Sequence, residues 1–288
     1  MNRSAAAAKG SPGLTSTGLK GIALALMVLD HIHYFFGFTG WIPEWFSMLG
    51  RLSAPLFLFC VVEGFTHTRN RKKYFLKVYA LSAAMSGVLI LMSFFGLLVR
   101  PDGFYPMNGM MTSFAILMIV WQGIDWLGER RYFRGLAAIV LPLTWPLLLN
   151  LALAPFPALR LPLTVLGVVL VPTWNFSLDA CLPVLIEGIL LYLFRKNRLR
   201  QAIAFTIFDF LFFFVLVYVS LMRSQLPDFH WTQMFTTYYE WYGAFAGLIM
   251  LCYNGQRGSG HKAFFYAFYP AHIYLLYFLS WGLYHFLH

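Results

Sequence analysis

The sequence predicts an all-α fold, a polytopic transmembrane bundle of about nine to eleven spans with a broken or re-entrant helix near 160–180, and three observations carry that prediction. Hydrophobic residues make up 60% of the 288 and charged residues only 11%, far below the roughly 25% of soluble domains. Apolar stretches of spanning length recur along almost the whole chain. The basic residues behind a net charge of +10 sit in short clusters between those stretches, where the positive-inside rule places them, so topology accounts for the charge better than nucleic-acid binding does.

Residues 1–18 are small, polar and punctuated by Gly and Pro, which predicts a disordered cytoplasmic tail before a single transmembrane domain over 19–288. No small-residue cleavage site closes the first apolar run, 19–36, so it remains as a helix. Gly and Pro at 37–43 mark an outer turn, and 52–67 returns to the basic cluster Arg69, Arg71, Lys72 and Lys73. The stretch 74–98 goes out again, 101–109 turns, 109–127 comes back to Arg130, Arg131 and Arg134, and 135–154 leaves once more. The segment 160–194 is interrupted by Pro162, Pro172, Pro183 and the polar run Thr173 to Asp179, which predicts a half-helix at 161–172 and then a full span at 181–194. After Arg195, Lys196, Arg198 and Arg200 come 201–222, 237–253 and, past Arg257 and Lys262, 263–286. With the basic clusters in the cytoplasm, nine crossings put the N-terminus inside and the C-terminus outside. Cys60, Cys181 and Cys252 lie in apolar stretches without metal or redox spacing.

Polar residues inside these runs carry the functional signal. Lys20, Leu24, Met27 and His31 share one helix face, and His31 lies about 16 Å above Lys20. Asp30 adjoins His31 and is one turn from His33, so a single carboxylate can orient either imidazole. Ionisable groups at this depth face a cavity or a partner. An acid beside a base is what proton abstraction requires; the structural alternative is a buried ion pair that fixes packing. Glu63, His67, Asn70 and Arg71 recur at helical spacing and, with Arg69, form a charged funnel at the cytoplasmic end. Lys72 and Lys73 are explained as a positive-inside anchor, and Arg51 either caps the outer end or reaches inward.

The last span opens with GHKAFFYAFYPAHIYLLY. His261 and His272 are eleven residues apart on one face, as Lys20 and His31 are, with Tyr269 and the helix-kinking Pro270 between them. Pro270 frees a carbonyl near Tyr266 for a ligand. Asn108, Asp179, Glu187 and Asp209 are further polar residues able to line the same cavity. There is no P-loop, GxGxxG, HExxH, GxSxG or CxxC motif. No i, i+4 His pair supports a metal, and none is expected.

The blocks LKGIALALMVLDHIHYFF, GRLSAPLFLFCVVEGFTHTRNRKKY and GHKAFFYAFYPAHIYLLY closely resemble the three signature blocks of the TraX family and bracket residues 19–277. The middle, 112–255, is similar only in hydropathy. The resemblance implies a membrane enzyme of the bacterial inner membrane that moves an acetyl group from cytoplasmic acetyl-CoA to an amine: a pilin N-terminus, another peptide or a small amine. It falls on Lys20, Asp30, His31, Arg51, Glu63, Gly64, His67, Thr68, Gly260, His261, Lys262 and His272, and does not single out His33. On that reading His31 is the general base, with Asp30 orienting it or stabilising its charged form, and His272 in the same catalytic set. Arg69, Arg71, His261 and Lys262 meet the polyanionic CoA, and Lys20, Glu63, His67 and Tyr269 line its path. The extended pantetheine arm, about 15 to 20 Å, matches the helical rise from Lys20 to His31. The partners implied are membrane lipid, acetyl-CoA and the acceptor, with no nucleic acid.

Other readings stand beside this one. An enzyme of the same kind that acylates a sugar or lipid hydroxyl fits the same residues. A secondary transporter also buries His, Asp and Glu and breaks helices near the midplane, although it calls for an inverted repeat that is not visible. A non-catalytic assembly protein would not need a column of charges leading into the core.

Overall fold

The Thr15 hydroxyl accepts the Gly18 N–H at 3.1 Å and caps α1 (Ser16–Phe36). At 1.5 Å per residue α1 is roughly 31 Å long, enough to cross a bilayer core. The chain is seen in a computed structural model that describes residues 12–107, 109–174, 182–224, 228–260 and 262–288. Among these residues every regular element is helical, and the one isolated bridge pairs Leu14 with Tyr253.

A 3-10 turn and Gly40, at φ +70°, reverse the chain after α1. The short α2 (Trp45–Gly50) and α3 (Ser53–His67) bring it back. Gly50 is required here, because a Cβ at that position would lie 2.3 Å from Asp30 Cβ. Thr68 is extended and ends α3, and the Asn70 side chain accepts the Lys73 N–H at 2.8 Å to start α4 (Arg71–Ser93). Helices α5 (Met110–Gly128) and α6 (Tyr132–Leu153) form a hairpin whose backbones touch through glycines: a Cβ on Gly123 would lie 2.9 Å from the Gly135 carbonyl. Next come α7 (Pro157–Leu170), α8 (Leu182–Leu193) and α9 (Arg198–Asp209). A π-helical stretch, Phe210–Leu216, joins α9 without a break to α10 (Val217–Arg223). Two 3-10 segments, Trp231–Phe235 and Tyr239–Phe245, precede α11 (Ala246–Leu251), and α12 (Lys262–Leu287) runs through Pro270 as one helix.

Seven helices among the described residues are long and apolar enough to cross a membrane. Two of the nine expected crossings take another form. The expected span 181–194 is the 12-residue α8, only about 18 Å long. The expected span 237–253 is 3-10 helix followed by a six-residue α-helix. Its apolar run is bent by anchors that hydropathy does not register: Glu240 is tied to Arg51, and Gly243 and Gly247 press onto α9 with almost no clearance at Asp209 and Thr206. The half-helix expected at 161–172 is α7, and Asp179 lies outside the described residues.

The core lies where α1, α3, α5 and α8 meet, around Leu19, Leu56, Phe59, Leu117, Trp121 and Tyr192. By contrast, only 6% of the most apolar window of α6 is buried, so Leu136, Leu147 and Leu151 face outward, an arrangement that suits lipid and not water.

Candidate functional site

A cavity of about 1390 Å³ opens between α1, α3, α4 and α12. Ser16, Lys20, Leu24, Met27, His31 and Tyr34 all line it, so the helix face read from sequence is its wall. From Ser16 to Tyr34 this wall rises roughly 27 Å.

His31 and His272 meet deep in this wall, with His31 Nδ1 2.8 Å from His272 Nε2 and ring centroids 4.8 Å apart. The neighbouring carbonyl decides the tautomers. His272 Nδ1 lies 2.9 Å from the Phe268 carbonyl oxygen, which only accepts, so Nδ1 carries the proton and donates. His272 Nε2 then accepts from His31 Nδ1–H, and the His31 lone pair is left on Nε2. The His272 ring also stacks on Phe268, with centroids 5.1 Å apart.

Asp30 does not orient His31 through a hydrogen bond, contrary to expectation. Its carboxylate accepts from Ser47 Oγ at 2.8 Å and is ion-paired with Arg51. The reason is helical: successive residues point about 100° apart, so Asp30 faces α2 while His31 faces the cavity interior and α12. Arg51 reaches inward and also binds Glu240 at 2.9 Å. The imidazole partner of His31 is therefore His272.

At the other end the cavity wall is basic. Lys20, Arg69, Lys73, Lys77 and Arg257 line it, and the chain around Arg257 is fastened to the start of α1 by backbone bonds such as Ser16 N to Gln256 O. Glu63 is buried among them and is neutralised by Arg198 Nη1 at 3.2 Å, while His67 Nδ1 donates to the Glu63 carbonyl at 2.9 Å and leaves its ring exposed. Arg198 stacks over Phe59 and Tyr253, at 4.5 and 4.7 Å. Burial pushes the Tyr253 phenol up to about 12, so it stays a donor at neutral pH. Tyr269 lines the cavity, and the Lys20 ammonium lies 5.8 Å from the Phe265 ring.

Arg71 is a second correction. Because α3 ends at Thr68, the helical series from Glu63 is broken, and Arg71 projects from the first turn of α4 onto α5. There it binds Asp125 at 2.7 Å and Gln122 at 3.1 Å, and Asp125 also holds Arg195 and Tyr192. It does not line the cavity. His261, the side chain of Lys262 and Asn108 lie outside the described residues. Sequence reasoning missed Arg198, Tyr253, Lys77 and Glu240 as parts of the site. Arg198 had a signal, since it opens a helix with Asp209 eleven residues on, the same interval as Lys20 to His31.

Residues 16–280, from the first residue of α1 to well inside α12, match the family described as TraX protein. The chain belongs to the TraX family. This TraX-family chain is also similar to the probable fimbrial assembly protein FimC, serogroup H1, of Dichelobacter nodosus, with 28% identity over 277 residues that cover 90% of this chain and 92% of that protein. No solved structure is significantly similar. The family match covers every described member of the site, from Lys20 through Glu63 and Arg198 to His272.

Proposed function

We propose that this TraX-family protein is a membrane acetyltransferase that moves an acetyl group from acetyl-CoA to an amine. The observation that carries the reading is a tautomer-fixed His31–His272 pair at the deep end of a cavity whose other end is lined with cations.

The geometry fits the co-substrate in two ways. The basic end is suited to a polyanion such as the phosphorylated nucleotide of CoA. The wall from Lys20 to His31 rises about 16 Å, within reach of an extended pantetheine arm. Acetyl-CoA supplies the acetyl group on a thioester, a bond that an uncharged amine attacks without a metal. Lys20, Arg69, Lys73 and Arg257 hold the anionic end, and Tyr269 and the aromatic wall of α12 keep the arm in the apolar part of the cavity.

His31 Nε2 takes a proton from the amine as its nitrogen bonds to the acetyl carbon and the carbon–sulfur bond breaks. His31 Nδ1–H stays on His272 Nε2, so the positive charge formed on His31 is spread along a hydrogen bond that already exists. Overall, a protonated amine and the thioester become an acetamide, a free thiol and one released proton.

The fimbrial assembly name of the Dichelobacter relative points to a fimbrial or pilin peptide as the acceptor. The basic clusters beside the cavity mouth support a cytoplasmic mouth and N-terminus in a bacterial inner membrane. The reading is tested with purified protein in lipid nanodiscs, radiolabelled acetyl-CoA and a set of amine-terminated peptides. Label transfer that depends on His31 is expected, and acetyl-CoA that neither binds nor reacts overturns the reading.

A further inference from the structure

Tyr74 of α4 and Tyr266 of α12 both line the cavity. Their rings are half-buried and pack on the core around Leu56 and Phe59. The two phenols are close enough to influence each other electrostatically. Yet among the described residues neither phenol oxygen has a hydrogen-bond partner. Tyr79 of α4 and Tyr277 of α12, by contrast, end on carbonyl oxygens at 2.6 and 2.5 Å. A phenol drawn out of bulk water as a rule finds a partner. Two that border one open volume leave that place to whatever fills it.

Their placement is built into the helices. Gly64 of α3 seats the Tyr74 ring, since a Cβ there would lie 3.0 Å from Tyr74 Oη and 3.3 Å from its Cε1. Gly64 is one turn from the end of α3 at His67, so Tyr74 sits near the basic mouth. Tyr266 precedes His272 by six residues in α12 and stands roughly 9 Å nearer that mouth. Pro270 adds an acceptor at this level, because it has no N–H to give the Tyr266 carbonyl four residues before it. The stretch between the cations and the histidines thus offers two hydroxyls, each able to donate and to accept, and one freed carbonyl. Secondary amides need that combination, having one N–H to donate and one carbonyl to accept.

We infer that Tyr74 and Tyr266, with the freed Tyr266 carbonyl, bind the two amide groups of the pantetheine arm and so set the thioester at the level of His31. The inference rests on the acetyltransferase reading. The arm carries both amides between its nucleotide end and its sulfur, spaced much as in a short extended peptide, so they fall on the stretch that these groups border. An acceptor peptide has amides too, but the way from the cations to the histidines is the one the arm must cross. Gly64, a residue of the second signature block with no side chain to contribute, acquires a role as the seat of Tyr74.

The test is equilibrium binding of radiolabelled acetyl-CoA to the whole protein in nanodiscs, without acceptor, in wild type, Tyr74→Phe and Tyr266→Phe. Each substitution keeps the ring and removes only its hydroxyl, and should weaken acetyl-CoA roughly three- to tenfold. Adenosine 3′,5′-bisphosphate, which carries the nucleotide end without the arm, should displace the label from both variants with its wild-type affinity. Unchanged acetyl-CoA affinity overturns the inference, and so does an equal loss for both ligands, which would mean that the tyrosines only hold the fold. On the wild type alone, pantetheine should displace acetyl-CoA at far lower concentration than octanethiol, an alkyl thiol without amides. Equal displacement by the two thiols overturns the inference with no variant involved. A wild type that binds no acetyl-CoA removes the acetyltransferase reading together with this inference, whereas acetyl-CoA binding that is indifferent to both hydroxyls removes this inference alone.

Discussion

His272 Nε2 sits 2.8 Å from His31 Nδ1, joining two imidazoles that are 241 residues apart in the chain. The bond closes the bundle between its first and last helices and fixes which nitrogen of His31 carries the lone pair.

His272 is a positioning residue on this account, because it acts through His31. His272→Leu leaves a buried His31 N–H unpaired and should lower kcat roughly ten- to a hundredfold with little change in the KM for acetyl-CoA. His272→Gln supplies an amide oxygen at a similar reach and should recover part of the loss. Steady-state kinetics on the two variants decide it: equal loss in both, or a loss confined to KM, contradicts the role.

The basic end divides into cations that face the cavity and one that does not. Replacing Arg69 and Lys73 together by Gln should raise the KM for acetyl-CoA more than it lowers kcat. Arg71→Gln should leave KM unchanged and instead lower thermal stability, by about 1 to 3 kcal/mol, because Arg71 is committed to Asp125 and Gln122. If Arg71→Gln raises KM as much as the double variant does, the division is wrong.

Gly50→Ala tests the contact between α2 and α1. The added methyl would fall 2.3 Å from Asp30 Cβ, so α2 must shift, at a cost of about 1 to 3 kcal/mol. A lower melting temperature in detergent is expected, with loss of transfer because Asp30 and Arg51 move together. Gly21→Ala, which meets nothing within 4 Å, is the control and should be silent.

Outside the spans, Arg100 binds Asp102 through both guanidinium ends at 2.9 and 2.8 Å and donates to the Phe35 carbonyl at 3.1 Å, tying the α4–α5 loop to the end of α1. The hydrogen bonds from Arg100 hold the Asp102 carboxyl below its ordinary 3.8. A depressed carboxyl contributes stability above its unfolded pKa and loses it as pH falls through the folded value. Asp102→Asn should therefore melt earlier than wild type at neutral pH, and the gap should narrow only below 3.8. A gap unchanged at acid pH refutes the pairing as its source.

The wall of the cavity was legible in the sequence because a 3.6-residue period shows which residues of one helix look the same way. Lys20, Leu24, Met27 and His31 do so, and all four line it. Partnerships between helices were not legible. His272 was singled out for its depth, but nothing in a linear sequence brings it to His31 rather than to another group. Asp30 was assigned to its neighbour in sequence, although adjacent helical residues diverge, and its partners Ser47 and Arg51 come from the next turn of chain. Arg71 was misplaced because Thr68 and Asn70, a terminator and a cap, were read through as helix. Hydropathy likewise extended 237–253 into a full span, since it does not see that Glu240 must reach Arg51.

The most direct measurement is transfer of radiolabel from acetyl-CoA to an amine-terminated fimbrial peptide by purified wild-type protein and by His31→Gln. The account predicts transfer by the wild type and a loss of about a hundred- to ten-thousandfold in kcat for His31→Gln, with acetyl-CoA binding retained. Full transfer by His31→Gln would contradict it.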